Sequence, residues 1–418
     1  MHRFLHLFTF LAFTAAPAAD WPQFHGPTGD GIATVENVPT SWSKEKNIAW
    51  RTEIPGSGWS SPALSGGRIY LTTAVVTSGT DTGPKADRSL RALCIDAKTG
   101  QIIWDQEVFK QDGKKAPDSI HTKNGHASPT PIVADGRIYV HFGHQGTACL
   151  DLTGKKIWEN RTLFYQPQHG NGGSPVLVDG KLIFACDGRE EQFIAALKAT
   201  NGAIAWKFKR PTEAKKKFAF ATPAVITVGG KKQIVTPGAD MVNALDSSGK
   251  ELWRATYEGY SCVPKPVAGD GLVYVSSSFD TPEVLAIDPT GKGDLTKTHV
   301  KWIEDKFAPM TPSLLFHDGL LYMVADSGFI ACREAKSGKM LWESDRILRG
   351  CSSSPILCEG KLYVLDEYGK CAILAAGREY KLIATNELAD ERTLASMAVD
   401  EGAIYLRGKT TLYCIKGK

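Results

Sequence analysis

Apolar and polar residues alternate along this chain in short runs, and the runs return in a fixed order. A small residue, usually followed by a proline, leads into an alternating stretch, then a glycine turn, then an apolar run that carries an aromatic. A second turn and a tryptophan close the unit, and the unit returns eight times. Period-two alternation punctuated by Gly, Asp and Asn predicts strands buried on one face and joined by tight turns.

The offsets are regular enough to lay out strand by strand. Pro62, Pro131, Pro175, Pro266 and Pro355 each have a glycine five places on, and three places later stands Tyr70, Tyr139, Ile183, Tyr274 or Tyr363. Met397 takes the proline's place in the last unit, before Gly402 and Tyr405. The first half of the unit is therefore a hairpin whose tip, often Asp-Gly, suits a turn with positive backbone angles. The second half is another hairpin, ending in strings such as CIDAKTGQIIW at Trp104, CLDLTGKKIW at Trp158, ALKATNGAIAW at Trp206, ALDSSGKELW at Trp253 and CREAKSGKMLW at Trp342. Four strands per unit, returning every 40 to 54 residues, predict an all-β, eight-bladed β-propeller with one four-stranded antiparallel blade per unit. The last unit has only three strands, and NIAWRTEI, with Trp50, reads as the missing outer strand that closes the ring on the C-terminal blade.

The termini and composition narrow the setting. Residues 1–18, with Arg3, an apolar run from Phe4 to Ala16 and the small Ala16-Pro17-Ala18 site, read as a secretory signal. Residues 19–46 read as an N-terminal extension and 47–418 as the propeller. The apolar run is too short to span a bilayer, and no transmembrane segment is expected after its removal. A single closed ring, periplasmic or secreted, is expected to be a monomer. The 49 basic and 45 acidic residues nearly cancel, so no nucleic-acid partner is implied. Of the nine cysteines, Cys94, Cys149, Cys332 and Cys414 fall at or next to a position that alanine holds in other units, as small core residues would. A Cys358–Cys371 bridge within one blade is one pairing left open among the rest.

The tryptophan strings resemble those of the pyrroloquinoline-quinone repeat propellers, which include quinoprotein alcohol dehydrogenases and BamB-type outer-membrane assembly proteins. The resemblance covers about residues 47 to 418. It implies that Trp50, Trp104, Trp158, Trp206, Trp253, Trp302 and Trp342 dock between neighbouring blades, as large aromatics at one repeat position would by themselves suggest. The opening ADWPQFHGPTGDGI also looks like that of secreted propellers common in planctomycete-like bacteria. For the dehydrogenase branch the resemblance implies pyrroloquinoline quinone held with calcium against an adjacent-cysteine disulfide. This sequence has no Cys-Cys pair and no CxxCH haem string.

Candidate ligand-binding positions follow from propeller geometry, in which inner strands and their entry loops face the axis. Trp59 and Phe220 share one offset, three before the aligned proline, and are expected either at the funnel mouth or packed against a neighbouring blade. Small residues precede the aligned position in most units, Ser61, Thr130, Ser174, Thr222, Ser354 and Ser396 among them, but Lys265 stands there in the fifth. A charge at a converging position is costly to bury unless paired or wet, so Lys265 is expected either to face a solvated funnel or to snorkel into a loop. His126 and His169 sit in neighbouring entry loops. With His121, His141 and His144 they form a dense group that reads either as a rim metal site or as ordinary hydrogen-bonded histidines. The leading expectation is a non-catalytic, extracytoplasmic scaffold for a protein or peptide partner, with no catalytic residue nominated. The alternatives are a quinoprotein oxidoreductase with a degenerate site and a polysaccharide-binding propeller.

Overall fold

Each repeat folds into four antiparallel strands. In the first blade these are Ala63–Ser65, Arg68–Val76, Arg88–Asp96 and Ile102–Gln111, running from the axis outward. The computed structural model describes residues 20–78, 83–116, 119–388 and 391–417, and these form eight such sheets around one axis. The signal-peptide reading of residues 1–18 lies outside the described residues.

The strand register explains the spacing of the motif. Tyr70 lies opposite Cys94 and Cys94 opposite Trp104, and the same row recurs as Tyr139, Cys149, Trp158 and as Tyr322, Cys332, Trp342. Alanine stands in for cysteine between Tyr274 and Trp302. A small residue is needed there because tyrosine and tryptophan rings lean over it, 5.8 to 6.2 Å apart in these rows. All nine cysteines are buried free thiols. The Cys358–Cys371 bridge is therefore not formed: Cys358 gives its Sγ hydrogen bond to Val35 O on the N-terminal extension, and Cys371 lies two strands from it, opposite Leu365 of the strand between.

Blades lock to one another through the tryptophans. Trp50 Nε1 donates to Ala97 O of the next blade, Trp104 to Leu152 O, Trp158 to Ala199 O, Trp206 to Ser247 O, Trp302 to Ala335 O and Trp342 to Gly377 O. The turn that receives the ring carries glycine at positive φ, and a Cβ on Gly202 would lie 2.4 Å from Trp158. Trp253 departs from the rule. The receiving turn of the fifth blade is stretched, so Trp253 donates to Gln233 Oε1 of its own blade.

The ring closes as its sequence predicts: Ile48–Glu53 pairs antiparallel with Thr411–Lys416, with Trp50 opposite Cys414. The extension before it crosses the face that carries the hairpin tips, here called the turn face. Trp21 bridges Leu64 of the first blade, Pro22 O accepts from Val133 N of the second, and Ile32–Ala33 adds a parallel strand to Ile356–Cys358 of the seventh. It thereby closes one end of the axial channel. The opposite face, which carries the loops entering each blade, stays open and is called the entry face.

Candidate functional site

The axial channel becomes a blind funnel because the extension seals its far end. Phe24 rises from that seal as the floor, stacked on His25 with ring centres 4.5 Å apart. The cavity above it measures about 300 Å³ and draws its lining from every blade.

The wall nearest the floor is a ring of hydroxyls. The residue that enters each inner strand gives its backbone N–H to the hydroxyl at the same place in the next blade: Ser61 to Thr130, Thr130 to Ser174 and Ser174 to Thr222, at 2.9 to 3.0 Å. After a break the rule resumes, from Lys265 to Ser313, Ser313 to Ser354, Ser354 to Ser396 and Ser396 back to Ser61. The break falls between Thr222 and Lys265, because lysine has no hydroxyl to offer.

Lys265 does not reach the funnel. Its side chain is buried and turned to the turn face, where Nζ donates to Gly29 O of the extension. Burial lowers its pKa to about 8, although Asp30 nearby works in the opposite sense. The sequence marked the position as anomalous, but its partner is a segment about 240 residues earlier in the chain.

The mouth of the funnel has two unlike halves. On one side an aromatic arc runs through His121, His169, Phe218, Tyr260 and Phe279, each ring 5.3 to 6.4 Å from the next. Phe220 and Trp59 flank it, and Trp59 Nε1 donates to Asn124 O. On the other side stand Asp326 and Glu367. The loop His121–Asn124 reaches across the mouth to them: Lys123 Nζ lies 2.7 Å from Glu367 and 3.7 Å from Asp326, while Arg392 binds both Glu367 and Thr122 O. Burial alone would raise the pKa of Glu367, but hydrogen bonds from Lys123, Ser352 and Arg392 outweigh it and hold the group below the usual carboxylate range.

The candidates therefore divide. Trp59, His169 and Phe220 line the funnel together with His121. His126 does not: its Nδ1 is tied to Gln111 Oε1 at 2.8 Å, below the rim. His141 is buried with Nδ1 on Thr147 and its ring against Phe184, and His144 bonds Asn171. Burial lowers the pKa of His126 and His141 to about 3 and lowers that of His144, which favours the uncharged imidazole at all three. The five histidines thus form a rim pair and a separate inner group, and no three His, Cys, Asp or Glu side chains among the described residues are gathered to hold a metal. Phe24, Lys123, Phe218, Tyr260 and Phe279 were missed; they lie in the extension and in loops of irregular length, where no repeat offset marks them.

The donor set does not fit a calcium-held quinone. Asp326 already accepts from Met310 N, Thr311 N and the Thr311 hydroxyl, and Glu367 accepts from Ser352, Lys123 and Arg392. A hard cation needs six or more oxygen ligands, and these two carboxylates are engaged elsewhere. Among the described residues, both carboxylates at the mouth, Asp326 and Glu367, have internal partners.

Comparison with known proteins gives the same fold two functional contexts. A family model described as the outer membrane protein assembly factor BamB matches residues 32–191, 91–257 and 190–418. A polyvinylalcohol dehydrogenase from a Pseudomonas species is 25% identical over 61% of the chain, which spans only 35% of that protein's length. BamB from Yersinia pestis is 23% identical over 75% of this chain and 77% of its own. Among solved structures, a europium-containing methanol dehydrogenase superposes with a TM-score of 0.69 at 11% identity, covering 94% of this chain and 90% of that one.

Proposed function

The chain belongs to the family of the outer membrane protein assembly factor BamB, and from that premise we propose that it is an extracytoplasmic, non-catalytic propeller that holds a protein partner on its entry face. The observation that carries this reading is the state of the funnel carboxylates, both consumed by bonds inside the protein. Extracytoplasmic placement rests on the signal-like residues 1–18 and on the family, and no helix among the described residues is long and apolar enough to cross a membrane. We take the ring to act as a monomer, with residues 19–46 as the extension and 47–418 as the propeller.

The entry face supplies anchors for such a partner. Phe164 is 76% exposed in the loop entering the third blade, and Tyr368 is 49% exposed beside Glu367. Large aromatics left in water on one rim are the residues that dominate binding when a partner covers them.

Photo-crosslinking groups placed at Phe164, at Tyr368 and, as a control, at Val225 on the turn face test the reading in envelopes of the producing cell. Adducts to one envelope protein from the first two positions and none from Val225 are expected. Adducts from none of them, with the purified protein oxidising alcohols in the presence of an artificial electron acceptor, would overturn it.

A further inference from the structure

We propose that the axial pocket is a small-molecule site for one neutral sugar ring, seated on Phe24 within the hydroxyl ring and covered by the His121–Asn124 strap. This goes beyond the scaffold reading, which places the partner on the exposed rim.

The chemistry of the wall selects the ligand. Each hydroxyl of the ring spends one lone pair on the neighbouring blade's N–H, as Thr130 does for Ser61 and Ser174 for Thr130. A serine or threonine hydroxyl so engaged keeps one proton to give and one lone pair to receive with, except at Ser354 and Ser313, where Ser354 already gives its proton to Ser313. A wall of groups that both donate and accept matches a ligand whose own groups do the same, which describes the hydroxyls of a pyranose. A carboxylate or phosphate would use only half of that capacity.

Charge and shape agree. The ions at the mouth, Lys123 and Arg392 against Asp326 and Glu367, are paired with one another, so the site offers no spare charge for an ionic ligand. Phe24 below and Trp59 beside the ring supply flat apolar faces against which the C–H face of a sugar packs. A cavity of about 300 Å³ stands at the small end of ligand pockets and suits a single ring rather than a chain. Orientation comes from the one broken step. Between Thr222 and Lys265 the N–H of Thr222 meets no hydroxyl in the next blade, so a pocket otherwise near eightfold symmetry has one position that asks for an acceptor.

The test titrates the mature protein with D-glucose, D-galactose, D-mannose and N-acetyl-D-glucosamine, with sodium benzoate and sodium acetate as controls, reading thermal shift and tryptophan fluorescence. At least one pyranose is expected to saturate, and Phe24→Ala and Trp59→Ala are each expected to weaken it about tenfold or more. Phe24 lies outside the blades, so its variant keeps the propeller, and the unliganded melting temperature verifies this. No response to any pyranose, a response to benzoate or acetate alone, or binding unchanged in both variants would overturn the proposal. Crosslinking at Phe164 and Tyr368 reads the scaffold function separately, so either reading can fail without the other.

Discussion

Around the axis, blade after blade hands a backbone N–H to the next blade's hydroxyl, whereas the mouth above it is built from loops of unequal length and divides into an aromatic half and a charged half. The inner layer is made by the repeat: Ser61, Thr130, Ser174 and Thr222 occupy one offset and make one bond. The mouth is made by insertions: a strap from the second blade's entry loop ties itself to the sixth and seventh, and an aromatic arc fills the side it leaves. The difference teaches where specificity resides in such a ring. Repetition sets the scaffold and a symmetric, uncommitted wall, and departures from repetition give the wall a direction and a cover.

Substitutions in the two layers should separate accordingly. The largest effect is expected from the layer that holds blades together. Trp158→Ala removes a ring packed against Gly202 and bonded to Ala199 O, and should lower stability by ~3–5 kcal/mol in denaturant unfolding while leaving the funnel's ligand response intact. A loss of ligand response at unchanged stability would break the division.

The broken step of the ring gives the next effect. Lys265 has a folded pKa of about 8 against an ordinary 10.5, so the unfolded chain holds more protons between those values and stability rises with pH across that window. The rise should be on the order of 3 kcal/mol, and Lys265→Met should abolish it relative to the parent protein. An unchanged slope in the variant would mean that the lysine is not buried as described.

At the mouth the effects are smaller and local. Lys123→Ala should cost only ~1 kcal/mol, since Glu367 keeps Arg392, but should speed hydrogen exchange at the amides of Asn124 and Gly125. The depressed pKa of Glu367 makes the same strap lose support as pH falls below the usual carboxylate range, so protection of its amides relative to an unstructured chain should fall in acid. Smallest of all, Trp59→Phe should change stability by about 1 kcal/mol or less, because the ring is half-buried and its Asn124 bond is the main loss.

How much of this could be read from the sequence follows the same division. Proline, glycine and tryptophan offsets predict the blades, the closing strand and the small Cys or Ala beneath each tryptophan, since each is a local rule repeated. Trp59, His169 and Phe220 were reachable because entry loops precede inner strands in every blade. Lys265 was visible as an exception, yet its direction depends on Gly29, whose approach no local pattern encodes. His126 stands beside the rim in sequence, but Gln111 draws it under. Lys123 and Arg392 come to share Glu367 only because a long loop spans the funnel.

The most direct test of the account is a titration of the mature protein with pyrroloquinoline quinone in calcium, followed by tryptophan fluorescence. With Asp326 and Glu367 committed to their internal partners, no saturable quench is predicted, and none should emerge in Lys123→Ala. Saturable quenching that requires calcium, together with alcohol oxidation by an artificial acceptor, would contradict the claim that this funnel binds without reacting.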